Sequence, residues 1–468
     1  MPKHYSINYL SYHSEIKKAV FCIGHIDTYH ILHDILSNTN FKEVYVLVHD
    51  ELASATFSSI GKHQIIGIDY DRLMGLDLSA EDTSVICLDL IDPTFYKELS
   101  TKKIHEIILD FNWLGIESFE IWEQLRKSAD HILIAKLKSQ SDYKVLDWHK
   151  SESDIELSLI FPVYNVGKYI QECIDSVTAW DAPYVEFLFV NDGSPDNSEQ
   201  IIAEASKKDN RIKLLNKANG GCASARQFGL ERAKGKYVGF VDPDDFVDET
   251  MFKKLFTAAL EHSSDIAYCG YNEFYNDTKK YKPVKDLIFA PYFNGTEIRN
   301  QIDQLIPFMR IGIWRCIFSK ELLDRNNIGF YTDLRRFDDL PFKVITLLKA
   351  RHVVSVPEYL YYYRLDRAGQ DIKADDEKLY VHFDIFKHLD SWFENNCSDK
   401  QLDYYHIIKL DTHLWALSKI QKRLYKDYAS KAKADLLTLC DKNRLILATK
   451  TYNSRKKVKQ LKKILSAK

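Results

Sequence analysis

YVGFVDPDDFVDETMFKKL, residues 237–255, decides how this 468-residue chain is read. Tyr237, Val238, Phe240 and Val241 are β-branched or aromatic, the composition of a buried strand, with Gly239 among them. Asp242, Asp244 and Asp245 then arrive within four positions. The following DETMFKKLFTAALEHS has helical spacing. A buried strand that runs straight into clustered carboxylates needs a cation, or a cationic transition state, to make the charge tolerable.

Upstream, the same grammar repeats. IELSLIFPVYN is a strand ended by Pro162, and VGKYIQECIDSVTAW sets Val166, Tyr169, Ile170, Cys173, Ile174 and Val177 on one helical face. VEFLFVNDGS is a second strand, DNSEQIIAEASKK a helix capped by Asp196 or Asn197, RIKLLNK a third strand and GGCASARQFGLERAKG a helix opened by glycines. Buried strands alternating with helices predict an open parallel sheet, in which ligands bind at the carboxyl ends of the strands. Three strand ends, FPVYN, VNDGS and VDPDD, are polar or acidic, which points to one shared site. Asp242 and Asp244 lie two apart, so both carboxylates can face one divalent cation, or a ribose and a cation. Hard oxygen ligands suit Mg²⁺ or Mn²⁺ bridged to phosphate oxygens, and a metal–diphosphate complex would neutralise the cluster. Asp245 is open to a second reading, as a helix cap ahead of Phe246.

Residues 1–150 show a separate α/β pattern. Apolar runs at 19–24, 43–50, 63–70, 84–90, 104–111 and 131–137 alternate with amphipathic stretches, which predicts a parallel, doubly wound sheet. The first loop, GHIDTYH, carries no G-x-G-x-x-G, so an accessory domain is expected rather than a dinucleotide site. WHKSESD, residues 148–154, reads as a linker to a second domain over 151–368, and residues 369–468 read as helical. The length fits roughly three domains of about 150 residues.

Net charge is only −3, but it is unevenly spread. Residues 419–468 hold 16 Lys+Arg against 3 Asp+Glu, a local net of +13, which leaves −16 on the remainder. The final SRKKVKQLKKILSAK sets Val458, Leu461 and Leu465 on one face among lysines, a pattern for docking on anionic lipid head groups. No nucleic-acid recognition motif accompanies these cations. The eight scattered cysteines form no C-x-x-C pair, which excludes a disulfide framework and a zinc site. MPKHYSINYLSYHSEIKK lacks a secretory apolar core, and no run of about 18 apolar residues occurs, so a cytoplasmic protein is expected.

Together, LSLIFPVYNVGKYIQECIDSV, FLFVNDGSPDNSEQII and NGGCASARQFGLERAKGKYVGFVDPDDFV resemble the family 2 glycosyltransferases, of GT-A fold, over about residues 156–365. The resemblance implies an inverting transfer of a hexose from a nucleotide-sugar donor, usually a UDP-sugar, with Mn²⁺ or Mg²⁺. It implies that Pro162, Val163 and Tyr164 touch the nucleotide base, that Asp192 hydrogen-bonds the uracil ring, and that Arg226 lies near the nucleotide. Gln227 stands where asparagine is usual, and Pro243 where serine is usual in the D-x-D turn. Asp242 and Asp244 match the D-x-D. The general base is implied at Asp339 in FYTDLRRFDDLPFKVITLLK, with Asp338 in place of the commoner glutamate; an N-capping pair is the other reading. GIWRCIFSKELL resembles the stretch beneath the acceptor, where Trp314 either stacks on a sugar face or fills the core, and Arg315 replaces lysine. YYYRLDRAGQD resembles the closing segment, with Arg364 and Arg367 as cations for the diphosphate. The acceptor implied is a saccharide or a lipid-linked glycan at the inner face of a bacterial membrane, in capsule, lipooligosaccharide or exopolysaccharide synthesis.

Three rivals remain at this point. A nucleotidyl- or phosphotransferase would want a glycine-rich, lysine-bearing loop, which FPVYNVGKY lacks. A non-catalytic nucleotide-sugar-binding or scaffold protein would want the D-x-D or the base lost. A bifunctional enzyme would want a second motif in residues 1–150, whose acidic strand ends (HIDTYH, VHDE, LDLIDP) match none.

Overall fold

A computed structural model gives the architecture and describes residues 18–23, 35, 41–47, 65–68, 70–80, 83–88, 93–111, 118–139, 142–150, 153–284, 297–298, 312–365, 374–452 and 455–466. The chain divides into two compact units, residues 1–154 with 259–263, and residues 155–258 with 264–468. Arg367, the loops GHIDTYH and VHDE, and residues 89–92 of LDLIDP lie outside the described residues.

The first unit is a seven-stranded sheet of β1 (Lys18–Ile23), β2 (Glu43–Leu47), β3 (Ile65–Ile68), β4 (Thr83–Leu88), β5 (Ile104–Phe111), β6 (Ala129–Ser139) and β7 (Asp142–His149). Helices α1 (Tyr70–Gly75), α2 (Pro93–Leu99) and α3 (Ser118–Leu125) join them. The order β3-β2-β1-β4-β5-β6-β7 is doubly wound, and every pair is parallel except β6–β7. That hairpin corrects the expected linker: Trp148 and His149 belong to β7, and the Trp148 ring packs edge-on against Trp122 at 6.1 Å. β4 is buried along its whole length, as a strand covered on both faces must be.

The second unit opens with β8 (Leu157–Val163), α4 (Ile170–Thr178), β9 (Val185–Asn191), α5 (Ser198–Lys208), β10 (Ile212–Asn216), α6 (Cys222–Leu230) and β11 (Tyr237–Phe240). The chain runs outward from β8 to β9 to β10, then crosses back so that β11 pairs with β8 on its other side, all in parallel. The crevice between the ends of β8 and β11 is therefore the switch point of the sheet, where open α/β sheets bind ligands. Helix α6 packs close on β8 because Gly229 lacks a side chain: a Cβ there would meet Ile160 Cγ2 at 2.5 Å. Val166 is buried but precedes α4, and α5 is capped through Asp196, whose Oδ1 accepts from the Ser198 N–H at 3.1 Å.

Past the acidic turn come β12 (Phe246–Val247), α7 (Met251–Glu261), β13 (Ile266–Tyr275), β14 (Lys280–Pro283), β15 (Glu297–Ile298), β16 (Cys316–Ser319), α8 (Lys320–Arg325), α9 (Asp339–Lys349) and β17 (Val353–Leu365). β16 runs antiparallel between β11 and β13, and the sheet ends β13-β17-β12. Five helices follow: α10 (Val381–Asn396), α11 (Asp399–Lys419), α12 (Tyr425–Leu436), α13 (Lys442–Tyr452) and α14 (Arg455–Ser466). The first two share the core of the sheet: Ile385, Phe386 and Leu389 of α10 and Tyr405 and Ile408 of α11 pack with Leu340, Phe342 and Leu347 of α9.

The last helix corrects an expectation. Val458, Leu461, Ile464 and Leu465 are buried, and the latter three pack against Leu410, Leu436 and Leu445. The apolar face is spent inside the protein and cannot enter a bilayer, while Lys456, Lys459, Lys462 and Lys463 stay exposed. No described helix is long and apolar enough to cross a membrane. The described cysteines are all free thiols.

Candidate active site

The acidic turn is closed by a hydrogen bond from the Asp245 N–H to the Asp242 carbonyl at 3.0 Å, with Pro243 pre-set at its corner. Asp242 is a quarter exposed, and Asp244 and Asp245 are buried. Asp245 is no helix cap, since Phe246 enters β12. Its carboxylate accepts from the Tyr361 hydroxyl at 2.8 Å and from the Arg364 N–H at 2.7 Å. The Tyr361 oxygen in turn accepts from the Asp242 N–H at 3.3 Å, so one phenol holds both ends of the turn. Burial, then Asp244 and Asp242, pushes the Asp245 carboxyl well above the usual range.

Arg364 lies beneath this turn rather than over an open crevice. It is 1% exposed. Its Nε donates to the Asp244 carbonyl at 2.7 Å, Nη1 to Asn276 Oδ1 at 2.7 Å and Nη2 to Glu172 Oε2 at 2.6 Å. A guanidinium committed to three partners braces the turn from behind.

The helix-opening pair is joined to the turn by Arg226. Its Nη2 donates to Asp242 Oδ1 at 2.6 Å and its Nη1 to Asp338 Oδ2 at 2.8 Å, although 112 residues separate Arg226 from Asp338. Burial opposes the Arg226 charge, but the carboxylates, led by Asp338, outweigh it and raise its pKa. Asp338 sits at the N-cap position of α9, yet its side chain caps nothing; it serves Arg226. Burial first, then repulsion from Asp338, pushes Asp339 up to about 7, against the pull of Arg226. A carboxylate poised near neutrality has the pKa of a working general base.

The other strand ends form the opposite wall. Asp192, at the end of β9, is buried; Oδ1 accepts from Lys217 Nζ at 2.6 Å and the Gly220 N–H at 2.9 Å, and Oδ2 from the Gly221 N–H at 2.7 Å. Asp192 thereby fixes the glycine loop that opens α6, where Gly221 has φ +92°. At the end of β8, Val163 is buried, Pro162 is partly covered and Tyr164 presents a 52% exposed ring. Trp314 fills the core: it is buried, with its ring on Tyr361 at 4.2 Å and Tyr363 at 5.6 Å. Arg315 is buried beside the Tyr271 ring.

Sequence reading had not singled out Tyr361 or Lys217. Tyr361 lies within the YYYR run, and Lys217 stands two residues before the Asn219-Gly220 turn signal. Among the described residues no group of three or more His, Cys, Asp or Glu could hold a metal. Two carboxylates two apart are nonetheless the donor set of a cation that draws its remaining ligands from phosphate and water. Asp242 and Asp244 fit that chemistry.

Residues 158–323 match the family model described as Glycosyl transferase family 2. Uncharacterized glycosyltransferase EpsJ of Bacillus subtilis is 37% identical over 209 residues, which cover 44% of this chain and 60% of that protein. Glycosyltransferase GlyG of Streptococcus pneumoniae is 31% identical over 231 residues, covering 47% of this chain and 73% of GlyG. The structure of S. aureus TarS 1–349 in complex with UDP shares the fold, with TM-score 0.50 at 20% identity, over 66% of this chain and 90% of that one.

Proposed function

The chain belongs to glycosyl transferase family 2, and on that premise we propose a metal-dependent, inverting transfer of a hexose from a UDP-sugar to a saccharide or lipid-linked acceptor. The observation that carries the reading is the Arg226 fork, which joins the D-x-D turn to the Asp338–Asp339 pair in one hydrogen-bonded cluster at the switch point. TarS, similar in fold, has been solved with UDP and with UDP-GlcNAc, which supports a UDP-sugar donor. Relatives named as a minor teichoic acid biosynthesis protein and as poly(ribitol-phosphate) glycosyltransferases support a surface-polymer pathway.

The nucleotide lies across the ends of β8 and β9, against Tyr164 and beside the loop held by Asp192. Asp242 and Asp244 would hold Mn²⁺ or Mg²⁺ on the diphosphate, where a divalent ion offsets charge on the departing UDP. Asp339 takes the proton of the acceptor hydroxyl. That oxygen bonds to the anomeric carbon from the side opposite UDP, and the bond to the UDP oxygen breaks with its electron pair. An α-linked donor gives a β-linked product. Calorimetry tests the donor half: UDP binds in Mn²⁺, and affinity falls more than about tenfold in EDTA or in Asp244→Asn. Equal affinity in EDTA and Mn²⁺ would remove the metal from the account.

A further inference from the structure

We propose that Phe337, His382 and Trp415 form an aromatic brace through which the C-terminal helices position Asp338 and Asp339. The inference rests on Asp339 being the base. Phe337 immediately precedes the pair and has φ 52°, a left-handed conformation uncommon for a residue with a bulky side chain. Its carbonyl accepts the Leu340 N–H at 3.3 Å, so its backbone angle sets the first turn of α9. Such a conformation persists only where the surroundings over-determine it. Here the surroundings are α10 and α11: the Phe337 ring lies 5.1 Å from that of His382 and 5.9 Å from that of Trp415, and those two rings are 5.8 Å apart.

The brace is itself anchored. His382 Nδ1 meets the Tyr428 hydroxyl at 3.1 Å, which also meets His413 Nδ1 at 3.1 Å, and His413 Nε2 pairs with Asp435 at 2.7 Å. The fully buried Lys409 then ties Asp435 at 3.1 Å to Asp390 at 2.8 Å. Burial, with His413 close by, pulls His382 down to about 3, so its ring is a neutral plate at any working pH. The loop is fastened at its other end too: Tyr331 stacks on His388 at 4.2 Å, and His388 pairs with Asp333 at 2.8 Å. The segment from Tyr331 to Phe337 is therefore clamped at both ends, and α10 contributes to each clamp. Arg226 fixes Asp338 from the sheet side and the brace fixes it from the helical side.

Phe337→Ala and Trp415→Ala test this, with Phe337→Tyr and Trp415→Phe as conservative controls. Amide exchange over residues 331–345 needs no substrate, and it should quicken by about tenfold or more in the alanine variants while β8 and β9 stay protected. UDP release from UDP-glucose and UDP-GlcNAc in Mn²⁺ should lose roughly a hundredfold in kcat, the cost of a base displaced by about an ångström, with KM little changed. The acid limb of the pH profile should move below 7 as Asp339 gains solvent. The aromatic controls should recover both rate and profile. Unchanged exchange in the loop, or a loosened loop with kcat intact, or equal loss of UDP affinity, would overturn the positioning role. If Asp339→Asn turned over donor at the unmodified rate, the base assignment would fail instead. Where Trp415→Ala does not fold, Trp415→Leu takes its place in the same readings.

Discussion

Asp339→Asn lowers kcat for sugar transfer by roughly 10²–10⁴-fold and leaves UDP affinity within about twofold of the unmodified protein. An amide cannot accept the acceptor proton, yet it keeps the volume of the carboxylate and removes none of the bonds from Arg226 to Asp338 and Asp242. The sign of the pH dependence follows from the same group. Burial and Asp338 hold Asp339 up to about 7, and only the ionised form is a base. Activity should therefore rise with pH through about 7 and fall away below it. An isolated carboxylate would already be fully active near pH 5. A flat profile between pH 5 and 8 with a single saturating donor would count against Asp339.

Arg226→Met has the second large effect, and it is read in stability as well as rate. Removing the guanidinium strands the buried Asp338 without its counter-ion and leaves Asp242 one bond poorer. Breaking a buried pair from one side costs roughly 3–5 kcal/mol, which for a unit of this size lowers Tm by roughly 5–8 °C. Arg226 is also the group that pulls Asp339 down, so its removal should move the acid limb upward, above 7. Arg226→Lys keeps the charge but not the fork, and should recover part of the stability without rejoining the two carboxylates. Differential scanning calorimetry and the pH profile of UDP release check both halves; an unchanged Tm would show that the bridge contributes nothing to the fold.

The elements that build the crevice were legible because each is written locally. β8, β9 and β11 are apolar runs, β9 and β11 giving way to Asp192 and Asp242 while β8 continues through the expected stop at Pro162 to Val163, and the helices between them carry their period in the chain. The antiparallel β7 was not, because its end shares the polar segment that reads as a linker. Long-range partners were also hidden. Nothing around Arg364 says that its guanidinium turns inward to Asp244, Asn276 and Glu172, and nothing around Asp245 says that its carboxylate, instead of capping a helix, will accept from a phenol 116 residues on. The amphipathic period of α14 is plain in the chain, but a period cannot tell a bilayer from Leu410, Leu436 and Leu445 as the surface it faces. The bridge from Asp242 through Arg226 to Asp338 is of the same kind: three motifs can be recognised separately, and only the fold joins them.

The most direct measurement is UDP release from a panel of UDP-glucose, UDP-galactose, UDP-GlcNAc, UDP-GalNAc and UDP-glucuronate, in Mn²⁺ and in EDTA, for the unmodified protein, Asp244→Asn and Asp339→Asn. Release from one donor in Mn²⁺, abolished by EDTA and by either substitution, is the result this account predicts. Release that persists in EDTA and in both variants, or no release from any of the five, would contradict it.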